Sequence, residues 1–277
     1  MSSYENYTST SNSYDETREP VGVEIIVNCF STSATPLNEM VILDAGCGTG
    51  TYSSVLLNHV KKIEAVELNG GMINNARQKL SDAELAGRIE FHHASIDKMP
   101  LEDESMDAIM VNQVLHHLPQ NFQKDFSKLK EVIKEFFRVL KPGGVIVIHT
   151  CSNQQLKEGY WYSALIPNAV DLICHKYIPI DKLSEMLENN GFITQKPVTK
   201  ALGYQGQSYF EPEGPLNASW RAGDSVWSLT TAAELESVVS EVKTLNDSGG
   251  MEDFIKHHDR HRPDVGQVLF LQATKRA

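Results

Sequence analysis

The chain has 277 residues, 41% of them hydrophobic, and a formal net charge of −11 from 25 basic and 36 acidic side chains. That length fills one large domain with a full core, and an acidic balance without a long basic run argues against a nucleic-acid partner. No apolar run approaches the ~20 residues of a membrane-spanning helix, so no membrane is expected.

The chain opens on MSSYENYTSTSNSYDE, polar and acidic, with neither the apolar stretch of a signal peptide nor the arginines of a transit peptide. Its first 13 or so residues are expected to be mobile in isolation. Glu19 to Phe30 patterns as a short amphipathic helix, and Asn38 to Asp44 as a buried strand with Met40, Val41, Ile42 and Leu43 in a row. A glycine-rich loop follows, then a helix over Tyr52 to Val60, a strand over Lys62 to Leu68 and a helix over Gly71 to Lys79. Strands are expected at Arg88 to Ser95 and Met106 to Asn112. Residues 123–140 are helical: Phe126, Leu129, Val132, Ile133, Phe136, Val139 and Leu140 recur at steps of three and four. KPGG at 141–144 supplies the stop, and Val145 to Thr150 the next strand. A helix over 181–192 and strands near 193–199 and 267–275 close the chain.

Strands alternating with helices predict an α/β fold, a doubly wound, seven-stranded, mostly parallel sheet. Residues 153–180 and 201–266 interrupt the alternation and carry many of the aromatics. The expected organisation is an entry or lid segment at 1–40, a core at 41–200 and 267–277, and substrate-cap insertions at 153–180 and 201–266. The four cysteines, Cys29, Cys47, Cys151 and Cys174, form no CxxC pair and no zinc spacing. They read as reduced thiols of a cytoplasmic protein that holds no metal.

The loop is VILDAGCGTG, residues 41–50. No lysine follows Gly50, which removes a P-loop. A dinucleotide loop needs GxGxxG, and here the third glycine comes one residue early, giving GxGxG. Asp44, two residues before Gly46, would repel a pyrophosphate and attract a cationic amino acid.

LDAGCGTG resembles the first motif of class I S-adenosylmethionine-dependent methyltransferases, of the small-molecule kind. The likeness continues through VEL, HASIDKMPLEDESMDAIMVNQVLHHL and FFRVLKPGGVIVI, covering roughly 41–150. It implies a Rossmann-like core with S-adenosyl-L-methionine as cofactor. Gly46, Gly48 and Gly50 would turn the backbone close to the ligand's methionine part, and Asp44 would face its ammonium group. Glu67 would accept both ribose hydroxyls. Ser95 and Ile96 fall where the family meets the adenine edge, with Asp97 replacing the acid usual at position 95. Met72 either packs on the adenine or ribose or belongs to ordinary helix packing. Asn112 and Gln113 would lie beneath the sulfonium. His116 and His117 would start the next helix; His117 is assigned to the cofactor, and His116 is either a catalytic base or a packed helix-start residue.

For the acceptor, Tyr14, Asp15 and Arg18 in YDETREP either resemble an entry segment that folds over the cofactor, which assigns Tyr14 to catalysis and Arg18 to the cofactor, or form a surface cluster at a helix start. Trp161 and Tyr162 are read either as pocket lining or as core. Trp220 and Arg221 sit in LNASWRAGDSVWSL, where Arg221 either pairs with Asp224 or awaits a substrate carboxylate. The expected function is methyl transfer to O or N of a small molecule, with the arginines favouring one that bears a carboxylate, by a monomer or homodimer. Two alternatives stand beside it: a catalytically silent cofactor-binding partner protein, and an arsenite or thiol methyltransferase using Cys151.

Overall fold

The computed structural model describes residues 20–119, 122, 125–196, 198–203 and 207–276. Tyr14 and Arg18, and with them the entry segment up to residue 19, lie outside the described residues. The chain divides into two compact units, residues 1–150, 178–199 and 270–277 in the first and 151–177 and 200–269 in the second.

The first unit begins with α1 (Val23–Phe30), shorter than its apolar pattern promised because Gly22 takes a left-handed turn at its start, φ 67°. Then come β1 (Val41–Ala45), α2 (Thr51–Leu56), β2 (Lys62–Glu67), α3 (Gly70–Lys79), β3 (Ile89–His93) and β4 (Met106–Asn112). The expected start of β1 at Asn38 is corrected: Leu37–Glu39 form a 3-10 turn, closed by the Met40 N–H donating to the Leu37 carbonyl.

The amphipathic helix α4 (Ser127–Val139) buries Leu129, Val132, Ile133, Phe136 and Val139 along one face. KPGG does not separate it from the next strand. β5 (Leu140–Thr150) starts at once, because Leu140 pairs with Met106 and a register shift before Ala108 absorbs the proline and glycines. In the second unit lie α5 (Asn153–Glu158) and α6 (Pro167–Cys174). The chain re-enters the first unit through α7 (Ile180–Glu188) and β6 (Phe192–Thr194), and β7 (Thr199–Ala201) leads out of it again. α8 (Ala232–Ser248) and α9 (Met251–Asp259) belong to the second unit, and β8 (Val268–Lys275) starts there and runs into the first from Phe270 onward.

The sheet order is β3-β2-β1-β4-β5-β8-β6, with β7 pairing β8 off this path. The pairs β3-β2, β2-β1, β1-β4 and β4-β5 are parallel, and β6-β8 is antiparallel. The central strands are mostly apolar because both faces are covered, with Asp44, Asp107 and His149 as buried exceptions. β4 is buried from Met106 to Val111, and β5 from Val145 to Thr150. The switch in strand order at β1/β4 leaves a crevice at the carboxyl ends of the strands, where such sheets bind ligands. None of the described helices is long and apolar enough to cross a membrane.

Candidate functional site in the first unit

The glycine loop leaves β1 as a tight turn. Gly46, Gly48 and Gly50 hold φ of 81°, 56° and 76°, a region that favours glycine. The Gly46 and Cys47 N–H groups donate to the Val66 carbonyl at 2.8 and 3.0 Å, which ties the loop to the end of β2. A Cβ on Gly46 would come within 2.6 Å of Val114, whereas one on Gly48 would meet nothing within 4 Å. Gly48 therefore presents bare backbone to open space.

Glu67 closes β2 and holds two neighbouring backbone segments. Its Oε2 accepts the Gly48 N–H at 3.0 Å and its Oε1 accepts the Asn69 N–H at 2.7 Å. Asn69 in turn caps α3, with Oδ1 accepting the N–H groups of Gly71 and Met72 at 2.9 and 3.1 Å. One carboxylate thus locks the glycine loop and the start of α3 together. Each of its oxygens keeps a further lone pair for a ligand hydroxyl.

These groups surround a cleft of about 240 Å³, room for far more than a trapped water. Gly46, Gly48, Glu67, Met72, Ser95, Ile96, Asn112, Gln113 and His117 line it. Leu68, Asn69, Val114, Leu118, Pro119 and Lys128 complete the wall. Sequence reasoning passed over this second group. Asn69 carried a signal, an Asn followed by two glycines directly after a strand. Lys128 carried none, because only the fold brings α4 to Asp97.

Four expected residues stand behind the wall. Asp44 is 1% exposed and accepts a hydrogen bond from Ser53 Oγ at 2.7 Å. Among the described residues no cation pairs with it. Burial pushes its carboxyl up to about 7, the Ser53 bond opposing and the Glu67 charge adding. Gly50 faces α3 instead: its Cβ would lie 3.1 Å from Leu80 and 3.3 Å from Ala76. Asp97 is turned away by its ion pair with Lys128, which also bonds Glu131 at 3.0 Å. His116 is buried with its ring centroid 4.0 Å from that of His117. The two histidines form a 3-10 turn, Leu115–His117, and not the start of a helix, because the chain runs into Leu118 in an extended conformation.

The substrate residues expected in the insertions have their own partners within the second unit. Trp161 is fully buried and donates its indole N–H to the Tyr209 carbonyl at 2.8 Å. The Tyr162 hydroxyl donates to Asp224 at 2.6 Å, and burial, with the Asp224 charge, pushes that phenol well above its usual range. Trp220 donates to the Ser208 carbonyl at 2.6 Å. The Arg221–Asp224 pairing is corrected: Arg221 donates to the Pro215 carbonyl at 2.6 Å, and Asp224 caps the following turn through the Val226 N–H at 3.1 Å. Tyr162, Trp220 and Trp227 pack on one another with centroids 5.3 to 5.8 Å apart, Tyr162 and Trp227 buried and Trp220 half-buried.

The cysteine chemistry of the arsenite alternative finds little support. All four thiols are buried. Burial raises Cys29 and Cys174, and raises Cys47 further beside Asp44 and Glu67. Among the described residues, Glu64, Glu90 and His92 could reach one metal ion, but the Lys62 ammonium already bridges the two carboxylates at 2.7 and 2.8 Å.

The residues at the cleft suit a nucleoside joined to an amino acid. The Glu67 carboxylate, with lone pairs to spare, shares the lining with the apolar side chains of Met72, Leu68 and Ile96, and a buried acid that pairs with no cation among the described residues lies behind the glycine loop. Comparison with known proteins finds likenesses to methyltransferases. Residues 43–148 match the methyltransferase domain family. The chain is 28% identical over 190 residues to a demethylmenaquinone methyltransferase of Clavibacter sepedonicus, covering 66% of this chain and 73% of that one. It is 35% identical over 119 residues to a malonyl-[acyl-carrier protein] O-methyltransferase of Yersinia pestis, but covers only 39% of that protein. In fold it resembles a putative methyltransferase from an antibiotic biosynthesis pathway of Anabaena variabilis, with a TM-score of 0.70 at 20% identity over 94% of this chain and 99% of the other.

Proposed function

We propose, from the premise that the chain is a class I S-adenosylmethionine-dependent methyltransferase, that the cleft holds the methyl donor and that the acceptor is a small molecule methylated on oxygen or nitrogen. S-adenosylmethionine supplies an electrophilic methyl carbon on a sulfonium sulfur, open to in-line displacement. The chain's own residues bind and orient. Glu67 takes the ribose hydroxyls, Met72, Leu68 and Ile96 enclose the adenine, and the buried Asp44 carboxylate balances the ammonium group. Most of the rate then comes from alignment, worth up to ~7–11 kcal/mol in favourable cases. A base is needed only where the acceptor arrives protonated, and His117, which lines the cleft, is better placed for that role than His116.

The observation that carries this reading is Glu67, which organises the glycine loop and α3 from the floor of the cleft. For the acceptor, the Yersinia relative's name supports oxygen and a carboxylate-bearing molecule. The Clavibacter relative's name supports a second reading, a quinone-type ring. Segments 153–180 and 201–266 are assigned to acceptor recognition, and residues 1–40, with Tyr14 and Arg18, to entry and closure.

Incubation with methyl-labelled donor and a metabolite extract tests the proposal. A labelled small product is expected, and its spectrum identifies the acceptor atom. Donor binding with no transfer in any extract would favour a silent binding protein instead.

A further inference from the structure

At the carboxyl ends of β4 and β5, Asn112 and His149 stand in register. Their side chains therefore project side by side on one face of the sheet. The preceding row on that face contains Asp44 and Met110. α2 covers the face through two polar residues: Ser53 reaches Asp44, and the Tyr52 hydroxyl lies 3.2 Å from His149 Nδ1.

His149 is 4% exposed, and its ring stacks on Phe270 at 4.5 Å with 14° between planes. The Tyr52 hydroxyl accepts the Val21 N–H at 3.0 Å and lies 3.1 Å from the Val21 carbonyl. A phenol has one proton to give. If it goes to the Val21 carbonyl, His149 Nδ1–H can donate to the phenol oxygen, and Val21, Tyr52 and Nδ1 are all satisfied. The alternative leaves the Val21 carbonyl without this donor. The favoured tautomer places a bare lone pair on Nε2. Burial lowers the imidazole's pKa to about 3, so the ring stays neutral.

Among the described residues, Nε2 of His149 and both amide atoms of Asn112 are buried without a hydrogen-bond partner. A buried acceptor and a buried amide thus sit on adjacent strands, each unfavourable to the fold if left unmet. Asn112 lines the cleft. The adjoining Gln113 holds φ 54°, unusual for a residue with a side chain, and its N–H donates to the His149 carbonyl at 2.9 Å.

We propose that His149 is a positioning residue for the cleft, acting on Asn112 through one buried water that donates to Nε2 and bonds the Asn112 amide. Nε2 and one end of the Asn112 amide supply two of the two to four partners that a buried water needs. The water fixes which end of the Asn112 amide faces the cleft. Through Tyr52 the same ring is tied to the backbone of Val21, where the described chain begins to approach α1. The consequence for donor binding rests on the functional reading above; the link itself does not.

Two substitutions separate the halves of the ring. His149→Asn keeps a polar group near the Nδ1 position, and His149→Gln keeps one near Nε2. The Gln variant is expected to hold S-adenosylhomocysteine affinity within about twofold, and the Asn variant to lose about tenfold. Equal loss in both, or none in either, overturns the positioning role. Nitrogen-15 NMR of the ligand-free chain gives an independent readout. The Nδ1–H tautomer is expected, with Nε2 unprotonated and hydrogen-bonded; an Nε2–H tautomer overturns the proposal. A high-resolution crystal structure should show one ordered water within reach of Nε2 and the Asn112 amide, and its absence would also overturn the link. If the wild-type chain fails to bind S-adenosylhomocysteine while tautomer and water are as expected, the functional reading fails and the link stands.

Discussion

Glu67→Ala is expected to weaken S-adenosylhomocysteine binding by about 100-fold, roughly 3 kcal/mol. Two losses combine. The ligand's hydroxyls lose a charged acceptor, and the N–H groups of Gly48 and Asn69 lose the carboxylate that holds them at 3.0 and 2.7 Å. The glycine loop and the cap of α3 then move independently, so the cleft must be ordered at the ligand's expense. Glu67→Gln offers one acceptor oxygen in place of two and should fall between the wild type and the alanine variant. Isothermal titration reads all three; an alanine variant that binds as the wild type does removes Glu67 from the site.

The second large effect is a pH dependence that originates at Asp44. A carboxyl raised to about 7 holds its proton more tightly in the fold than in the unfolded chain. It therefore favours the ligand-free fold at low pH, and that contribution declines as pH rises from the unfolded value near 4 and is gone above about 7. An ammonium ligand prefers the charged carboxylate, so binding must expel the proton below pH 7. Affinity for S-adenosylhomocysteine is expected to be about tenfold weaker at pH 6 than at pH 8, and level above that. Asp44→Asn should flatten the profile while weakening binding at pH 8. His149 acts in the opposite sense on stability. Its folded value of about 3 lies below the unfolded one near 6.5, so its contribution is lost as pH falls through that window. The two slopes oppose each other in the wild type, and Asp44→Asn should therefore reveal a fold that weakens with acid. A wild-type binding profile flat from pH 6 to 8 would show that Asp44 does not charge on binding.

Both effects depend on residues whose positions the sequence marked. Asp44 and Glu67 lie at the carboxyl ends of adjacent strands, beside a loop whose missing lysine and early third glycine exclude two other nucleotide folds, and local pattern suffices because strand, turn and helix follow in unbroken order. The burial of Asp44 was not legible. A carboxylate next to a glycine loop looks like a ligand contact in either case, and only packing by α2 and Ser53 places it behind the wall. The extra residues at the start of β5 were masked for a related reason: Pro142 and two glycines read as a break, but the register shift against β4 accommodates them within the strand. In the insertions, WRAGD suggested an ion pair from nearness in sequence. A helical turn, Ala218–Arg221, and the cap made by Asp224 direct the two charges to different partners. Lys128 and Val114 reach the cleft by tertiary placement alone, which no short pattern records.

As proposed above, the cleft holds a sulfonium nucleoside donor. Thermal unfolding of the purified chain with S-adenosylhomocysteine, and separately with NAD, tests it most directly. At a ligand concentration 100 times the dissociation constant, binding adds about 2.7 kcal/mol of stability, a rise of several degrees in Tm. The predicted result is that rise with S-adenosylhomocysteine and none with NAD. Stabilisation by NAD alone would contradict the claim.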